Sequence, residues 1–198
     1  MGDACETIRR RIAESAEAQQ ALLEGPLVDQ VAELAAMITD ALRRDHKVLF
    51  FGNGGSAADA THLAAEFVGT YRIDREPLHA LSLTDNGSSV SAIGNDFAYE
   101  EVFARQIRAF GQPGDVAVGL STSGRSRNVV EGLAAARRGR LRTAAAGDED
   151  VVRVFAVGDD RRHAFEPDAM LIVVHTHSDR RPDKPILHGA VAPAAAVG

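Results

Sequence analysis

The sequence predicts an α/β protein built on a doubly wound parallel sheet, and two stretches of the same plan predict it. In the first, Val48, Leu49, Phe50 and Phe51 run through Gly52, Asn53, Gly54 and Gly55 into a helix from Ser56. In the second, residues 115–120 run through Ser121, Thr122, Ser123, Gly124, Arg125 and Ser126 into an alanine-rich helix ending near Arg138. Short continuous apolar runs suit strands buried on both faces, as in a parallel sheet. Repetition of the strand–loop–helix plan puts both polar loops at one edge, because ligands of such sheets sit outside the carboxyl ends of the strands.

The remaining elements follow in chain order. Residues 5–23 suit a helix that Gly25-Pro26 breaks, and a second helix carries Leu27, Val31, Leu34, Ile38 and Leu42 as one apolar stripe. These two helices, within residues 1–45, form an N-terminal extension that either covers the sheet or packs between subunits. After the first strand, Gly54 and Gly55 lack Cβ atoms and let backbone N–H groups approach a ligand closely. Ser56 then reads as the N-cap of the next helix, with Asp59 at a capping-box-like spacing. On that helix His62 and Glu66 are four apart and share a face.

Residues 78–83 read as a second strand, followed by a polar loop at Thr84, Asp85, Asn86 and Gly87. Asn95 and Asp96 follow a short apolar segment ending in Gly94 and have the character of turn residues. Residues 99–110 have helical periodicity, stopped by Gly111-Gln112-Pro113-Gly114 ahead of the strand at 115–120. Beyond Gly139, residues 141–146, 151–157 and 169–174 are strand candidates without a clear helix between them. Pro182, Pro185 and Pro193 preclude one long uninterrupted C-terminal helix, since an interior proline costs about 3 kcal/mol. The alanine-rich tail is expected to fray.

Composition narrows the function classes. A chain of 198 residues, 45% of them hydrophobic, can bury one good core, and a single domain over residues 1–198 is expected. Cys5 is the only cysteine, so no intramolecular disulfide is possible and a cytoplasmic setting is expected. No signal peptide and no apolar run of membrane-spanning length is evident. A net charge of −6 argues against a general nucleic-acid surface. The expected partner is a small molecule, not a nucleic acid or a membrane.

The two loops indicate which one. Ser121, Thr122, Ser123 and Ser126 offer four hydroxyls beside a helix N-terminus, a good receptor for a phosphate monoester, although the same residues could merely cap the helix. The first loop lacks both the GxxxxGK[ST] and the GxGxxG spacings, so a sugar phosphate fits better than ATP or NAD. Asn53, Asn95 and Asp96 could supply amide and carboxylate partners for sugar hydroxyls. His62 and Glu66 could be an ordinary solvated pair. Alternatively, they could converge on a metal ion or substrate, with the carboxylate removing a proton next to a carbonyl.

Taken together, GNGGSAADATHLAAEF, GNDF and STSGRSRNVVEGLAAAR closely resemble the sedoheptulose 7-phosphate (phosphoheptose) isomerases of the sugar isomerase (SIS) domain class, with the match running from about residue 30 to 138. The resemblance implies a three-layer, flavodoxin-like α/β sandwich with an N-terminal helical extension, assembled as a homotetramer with sites between subunits. It implies conversion of sedoheptulose 7-phosphate to D-glycero-D-manno-heptose 7-phosphate through an enediol, with one zinc ion per subunit. By the same resemblance, His62 and Glu66 are zinc positions and Glu66 is catalytic. Asn53, Gly54, Gly55, Ser56, Asn95 and Asp96 contact the substrate, and Ser121, Thr122, Ser123 and Ser126 hold its phosphate. The third motif, GND, includes Gly94.

From residue 139 the chain departs from the family pattern. Where the family closes with a helix bearing RIQExH…H, whose Gln and last His complete the zinc site and supply the general acid, this chain reads Asp179-Arg180-Arg181-Pro182-Asp183-Lys184-Pro185-Ile186-Leu187-His188. Two explanations stand: substitution by His175, His177 or His188, or an altered reading frame fused to a normal core. The alternative functions are a SIS-type module that binds a phosphosugar or a replication initiator without chemistry, and an amino-sugar phosphate isomerase.

Overall fold

The apolar runs of the sequence become the centre of a sheet. In a computed structural model, which describes residues 2–24, 27–69, 74–147, 153–155 and 171–173, strands β1 (Val48–Gly52) and β3 (Val116–Ser121) are buried at every position. They are parallel neighbours, with Val48 opposite Val116 and Gly52 opposite Leu120. Strand β2 (Ala80–Ser82) lies on the far side of β1, and β4 (Arg142–Gly147) on the far side of β3, both parallel, giving the order β2-β1-β3-β4. The chain leaves β1 to one side and returns on the other, so the crevice between the carboxyl ends of β1 and β3 is the topological switch point.

Successive side chains of a strand point to opposite faces, and each face acquires its own helical layer. Val48, Phe50, Val116 and Val118 face α2 (Leu27–Arg43) and α3 (Gly55–Val68), meeting Ile38, Leu42, Leu63 and Phe67. Leu49, Phe51 and Ala117 face α5 (Val102–Phe110) and α6 (Arg127–Arg138), meeting Phe103, Ile107, Val129 and Ala136. The three-layer sandwich expected from the sequence is therefore present. Phe51, Phe67 and Phe103 are almost fully buried, each contributing about 1.5–3 kcal/mol of transfer free energy. Their rings pack in tilted pairs, Phe50 with Phe67 at 5.5 Å and Phe51 with Phe103 at 5.1 Å between centroids.

The N-terminal extension is two helices, α1 (Gly2–Glu24) and α2. In α2 the expected stripe buries Val31, Ile38 and Leu42. Helix α1 touches α2 but leaves Ile8 and Ile12 exposed. Among the described residues, no helix is long and apolar enough to cross a membrane.

Several boundaries differ from the sequence reading. The second strand is only Ala80–Ser82; Leu78 and Leu83 are buried in the flanking connections, where the Leu78 N–H donates to the Phe67 carbonyl on α3 and the Leu83 N–H to the Phe50 carbonyl on β1. Asn95 and Asp96 are not turn residues: they form the last turn of α4 (Gly87–Asp96), which runs through Gly94 instead of ending there. The helix expected over 99–110 opens with a 3-10 turn at Tyr99–Glu101 before α5. Of the three later strand candidates, 141–146 becomes β4, while β5 (Arg153–Phe155) and β6 (Leu171–Val173) form a separate antiparallel pair. The proline-containing stretch, the alanine-rich tail, His175, His177 and His188 lie outside the described residues.

Candidate functional site

At the end of β1 the chain has no room for a side chain. A Cβ on Gly52 would stand 2.8 Å from the Leu120 carbonyl oxygen and 2.8 Å from Ser56 Cβ, so strand, neighbouring strand and helix meet at this residue. Gly54 then adopts φ 56°, a left-handed conformation open to glycine, and serves as the N-cap of α3. Its carbonyl accepts from the Ala57 and Ala58 N–H groups at 3.1 and 3.2 Å. This corrects the expected cap: Ser56 is the second residue of the helix and is buried, because the glycine turn lets α3 begin before the serine. The exposed Gly54 and Gly55 backbone carries the helix N-terminus, whose first N–H groups have no intrahelical partner.

Asn53 is held by two other segments. Its Nδ2 donates to Asn128 Oδ1 at 2.9 Å, Asn128 Nδ2 donates back to Asn53 Oδ1 at 2.8 Å, and the Tyr99 hydroxyl donates to the same Asn53 oxygen at 3.1 Å. The residues expected only as separate motifs are thus physically joined: the glycine loop to the helix after the serine loop, and to the turn after Gly94-Asn95-Asp96. Asn95 and Asp96 are both exposed, with Asn95 Nδ2 donating to Asp96 Oδ1 at 2.8 Å.

The serine loop leaves β3 beside Gly52. Ser121 is nearly buried, and its hydroxyl donates to Ser126 Oγ at 3.1 Å. Gly124, at φ 61°, returns its N–H to the Ser121 carbonyl, closing the turn. Ser126 is the N-cap of α6 through its carbonyl, which accepts from Val129 and Val130, while its hydroxyl faces Ser121 and not the helix. Thr122 and Ser123 are exposed at the tip, where the Ser123 hydroxyl accepts from the Arg125 N–H. Hydroxyls and a helix N-terminus therefore surround the mouth beside β3, an arrangement suited to an anion.

On α3, His62 Nε2 and Glu66 Oε1 are 3.5 Å apart; the imidazole is largely exposed and the carboxylate only partly so. Two features missed by sequence reading hold this helix. Arg75 donates to the Glu66 carbonyl at 2.6 Å and the Phe67 carbonyl at 2.9 Å, placing a cation on the C-terminal end of α3. At its other side Thr61 bonds Asp85 and Thr84, and Ser82 and Thr84 share a 2.6 Å contact, tying the helix to the end of β2. Neither was readable from spacing, because each partner lies across a loop from α3. His62 and Glu66 are donors of types that zinc accepts; among the described residues no group of three or more His, Cys, Asp or Glu converges on one point.

A model of the SIS domain family matches residues 12–147. Among curated relatives, the phosphoheptose isomerase of Akkermansia muciniphila is 47% identical over 140 residues, covering 71% of this chain and 73% of the relative. That of Nitratidesulfovibrio vulgaris strain Miyazaki F is 57% identical over 109 residues, covering 55% of this chain and 52% of the relative. Among solved structures, phosphoheptose isomerase GmhA from Neisseria gonorrhoeae superposes with a TM-score of 0.68 at 41% identity, covering 73% of this chain and 74% of that one.

Proposed function

We propose, from the premise that this chain belongs to the SIS domain family and to the phosphoheptose isomerases within it, that it interconverts sedoheptulose 7-phosphate and D-glycero-D-manno-heptose 7-phosphate. The observation that carries this reading is the placement of a His62–Glu66 pair on the helix that starts at the same sheet edge as the serine loop. Ser121, Thr122, Ser123 and Ser126, with the N-terminus of α6, bind the phosphate. The exposed backbone of Gly54 and Gly55, with Ser56, Asn95 and Asp96, lines the sugar.

Glu66 removes a proton from C1 of the ketose, leaving an enediol across C1 and C2. It then returns that proton to C2, while a second proton passes from the C1 oxygen to the C2 oxygen. No net oxidation occurs. The partly exposed carboxylate projects from a backbone that Arg75 holds through the Glu66 carbonyl, which supports its positioning for this exchange. His62 and Glu66 would hold a zinc ion, which as a Lewis acid would favour the developing negative charge on the sugar oxygens. The two side chains fit as part of a four-coordinate set, since they share one helix face and their polar atoms approach within 3.5 Å.

A homotetramer in the cytoplasm is part of the same proposal, supported by the exposed Ile8 and Ile12 on α1 and by the lone cysteine. Incubation with sedoheptulose 7-phosphate and zinc tests the activity by formation of the aldose. If no aldose forms and Glu66→Gln matches wild type in every assay, the catalytic reading fails; calorimetric binding without turnover would point to a binding module.

A further inference from the structure

We propose that Asn128 is a positioning residue that sets the polarity of the Asn53 amide, so that Asn53 presents an N–H and not a carbonyl to the sugar. The inference rests on the isomerase reading and deepens it at one contact. It begins in the backbone of α6. The Val129 N–H, shared with the Ser126 carbonyl, also donates to Asn128 Oδ1 at 3.0 Å, and together with the Asn53 N–H on the same atom it sets the oxygen of an amide that is only 3% exposed. Asn128 Nδ2 must then face Asn53, and the reciprocal pair forms only if Asn53 offers its oxygen to that donor and its own N–H to the Asn128 oxygen. Tyr99 donates a second hydrogen bond to Asn53 Oδ1.

Counting valences decides the rest. An amide oxygen has two lone pairs, and both on Asn53 are taken. An amide nitrogen has two hydrogens, and one is taken. What remains on the half-buried Asn53 is a single N–H of fixed direction. Such a group recognises an acceptor: a sugar carbonyl or hydroxyl oxygen, favoured further where that oxygen gains negative charge. Turning the Asn53 amide over would set donor against donor and acceptor against acceptor at Asn128, whose own amide is buried.

A double-mutant cycle tests this. Asn53→Ala, Asn128→Ala and the double variant are titrated calorimetrically with sedoheptulose 7-phosphate and, separately, with inorganic phosphate, and kcat/KM is measured in parallel. Each single substitution is expected to weaken sugar-phosphate binding and to lower kcat/KM by about tenfold, the size of one good hydrogen bond. The double variant is expected to be no worse than Asn53→Ala alone, and affinity for inorganic phosphate is expected to stay within about twofold, because Asn128 acts through Asn53. Multiplied effects in the double variant, equal weakening of inorganic phosphate, or an Asn53→Ala variant indistinguishable from wild type would each overturn it. If Asn128→Ala does not fold, Asn128→Asp, which keeps an acceptor for the Val129 N–H but loses the donor to Asn53 Oδ1, replaces it in the cycle, with a weakening of sugar-phosphate binding that is expected to vanish on the Asn53→Ala background and that overturns the proposal if it persists there. Wild-type protein that binds the sugar phosphate without turnover sinks the isomerase reading and leaves the binding cycle to decide this one. Protein that binds no sugar phosphate sinks both.

Discussion

The ammonium of Lys47 lies 2.6 Å from Oδ2 of Asp115, whose side chain is 1% exposed. The same carboxylate accepts the Lys47 N–H at 3.0 Å and the Gln112 N–H at 2.8 Å, and His46 stands 3.7 Å away. These contacts pin the start of β1 to the start of β3, at the ends opposite the two loops.

Asp115→Ala would leave two backbone N–H groups and a partly buried cation without their acceptor. It is expected to destabilise by about 3 kcal/mol, within the range for breaking one side of a buried pair. Denaturant unfolding measures this. The folded fraction is expected to keep wild-type turnover, because a strand of six residues separates Asp115 from the loop it helps to align. A cost below about 1 kcal/mol would show that the clamp is replaceable by water.

At the other end of β1, Gly52→Ala should harm function more than stability. The added methyl meets the Leu120 carbonyl and Ser56 Cβ, and neither is the free end of a flexible chain. Overpacking of this kind costs about 1–3 kcal/mol, relieved by pushing the glycine loop and the start of α3 off the strand ends. Misplacement of about 1 Å at a reacting centre can cost about a hundredfold in rate. A loss of kcat/KM near that size, with thermal unfolding lowered by only a few degrees, is expected; unchanged kinetics would mean that the loop position is not critical.

How much of this was legible in the sequence depends on the range of the interaction. Both strand–loop–helix units, the α2 stripe and the pairing of His62 with Glu66 are local patterns of period 3.6 or of short apolar runs, and each is present. The roles of Asn128 and Asp115 were not legible. Each depends on a partner 75 or 68 residues away that only the β1–β3 register brings near. Asn128 in the first turn of a helix has an ordinary local explanation as a helix-start residue, so nothing marked it. The cap at Ser56 was misread because a serine before an apolar periodic run is a good cap by propensity, and the left-handed turn at Gly54 pre-empted it.

Inorganic phosphate should stabilise the protein by binding the serine loop. At a concentration of about a hundred times Kd, the gain is about 2.7 kcal/mol, visible as a rise in unfolding temperature. Ser126→Ala removes one hydroxyl and the partner of Ser121, and is expected to weaken phosphate about tenfold while leaving the unliganded Tm nearly unchanged. Equal phosphate shifts in wild type and variant would place the anion elsewhere.

Asp40 accepts from Arg142 at 2.9 Å and pairs with Arg44 at 3.0 Å, joining α2 to β4. Partial withdrawal from water opposes its ionisation, but the Arg142 hydrogen bond and the two guanidinium charges outweigh this and hold the carboxyl below its ordinary value. A folded-state value below the unfolded one contributes stability above the ordinary carboxylate pKa of about 3.9, and that contribution is lost as pH falls through the folded value. Asp40→Asn should therefore lower stability slightly at neutral pH and not at all at strongly acidic pH. Since the side chains are still partly open to solvent, high salt should shrink the difference; a difference that persists in strong acid would contradict the assignment.

The metal proposal and the base proposal both use Glu66, and His62 separates them. If His62 serves only as a ligand, His62→Ala should lower zinc content, measured by elemental analysis after dialysis, and part of its lost turnover should return with added zinc. Glu66→Gln removes the base itself, so its turnover should fall by about 10²–10⁴ and stay there at any zinc concentration. Chelation of the wild-type protein should mimic the histidine variant and be reversed by zinc. The two donors on α3 cannot by themselves fill the four positions that zinc prefers, so a further donor is required. His175→Ala, His177→Ala and His188→Ala, examined one at a time for retained zinc, would identify it if it lies in the C-terminal part of this chain. Zinc retained at one ion per chain through all of these substitutions, His62→Ala included, would remove the metal from α3 and leave Glu66 to act as a base without it.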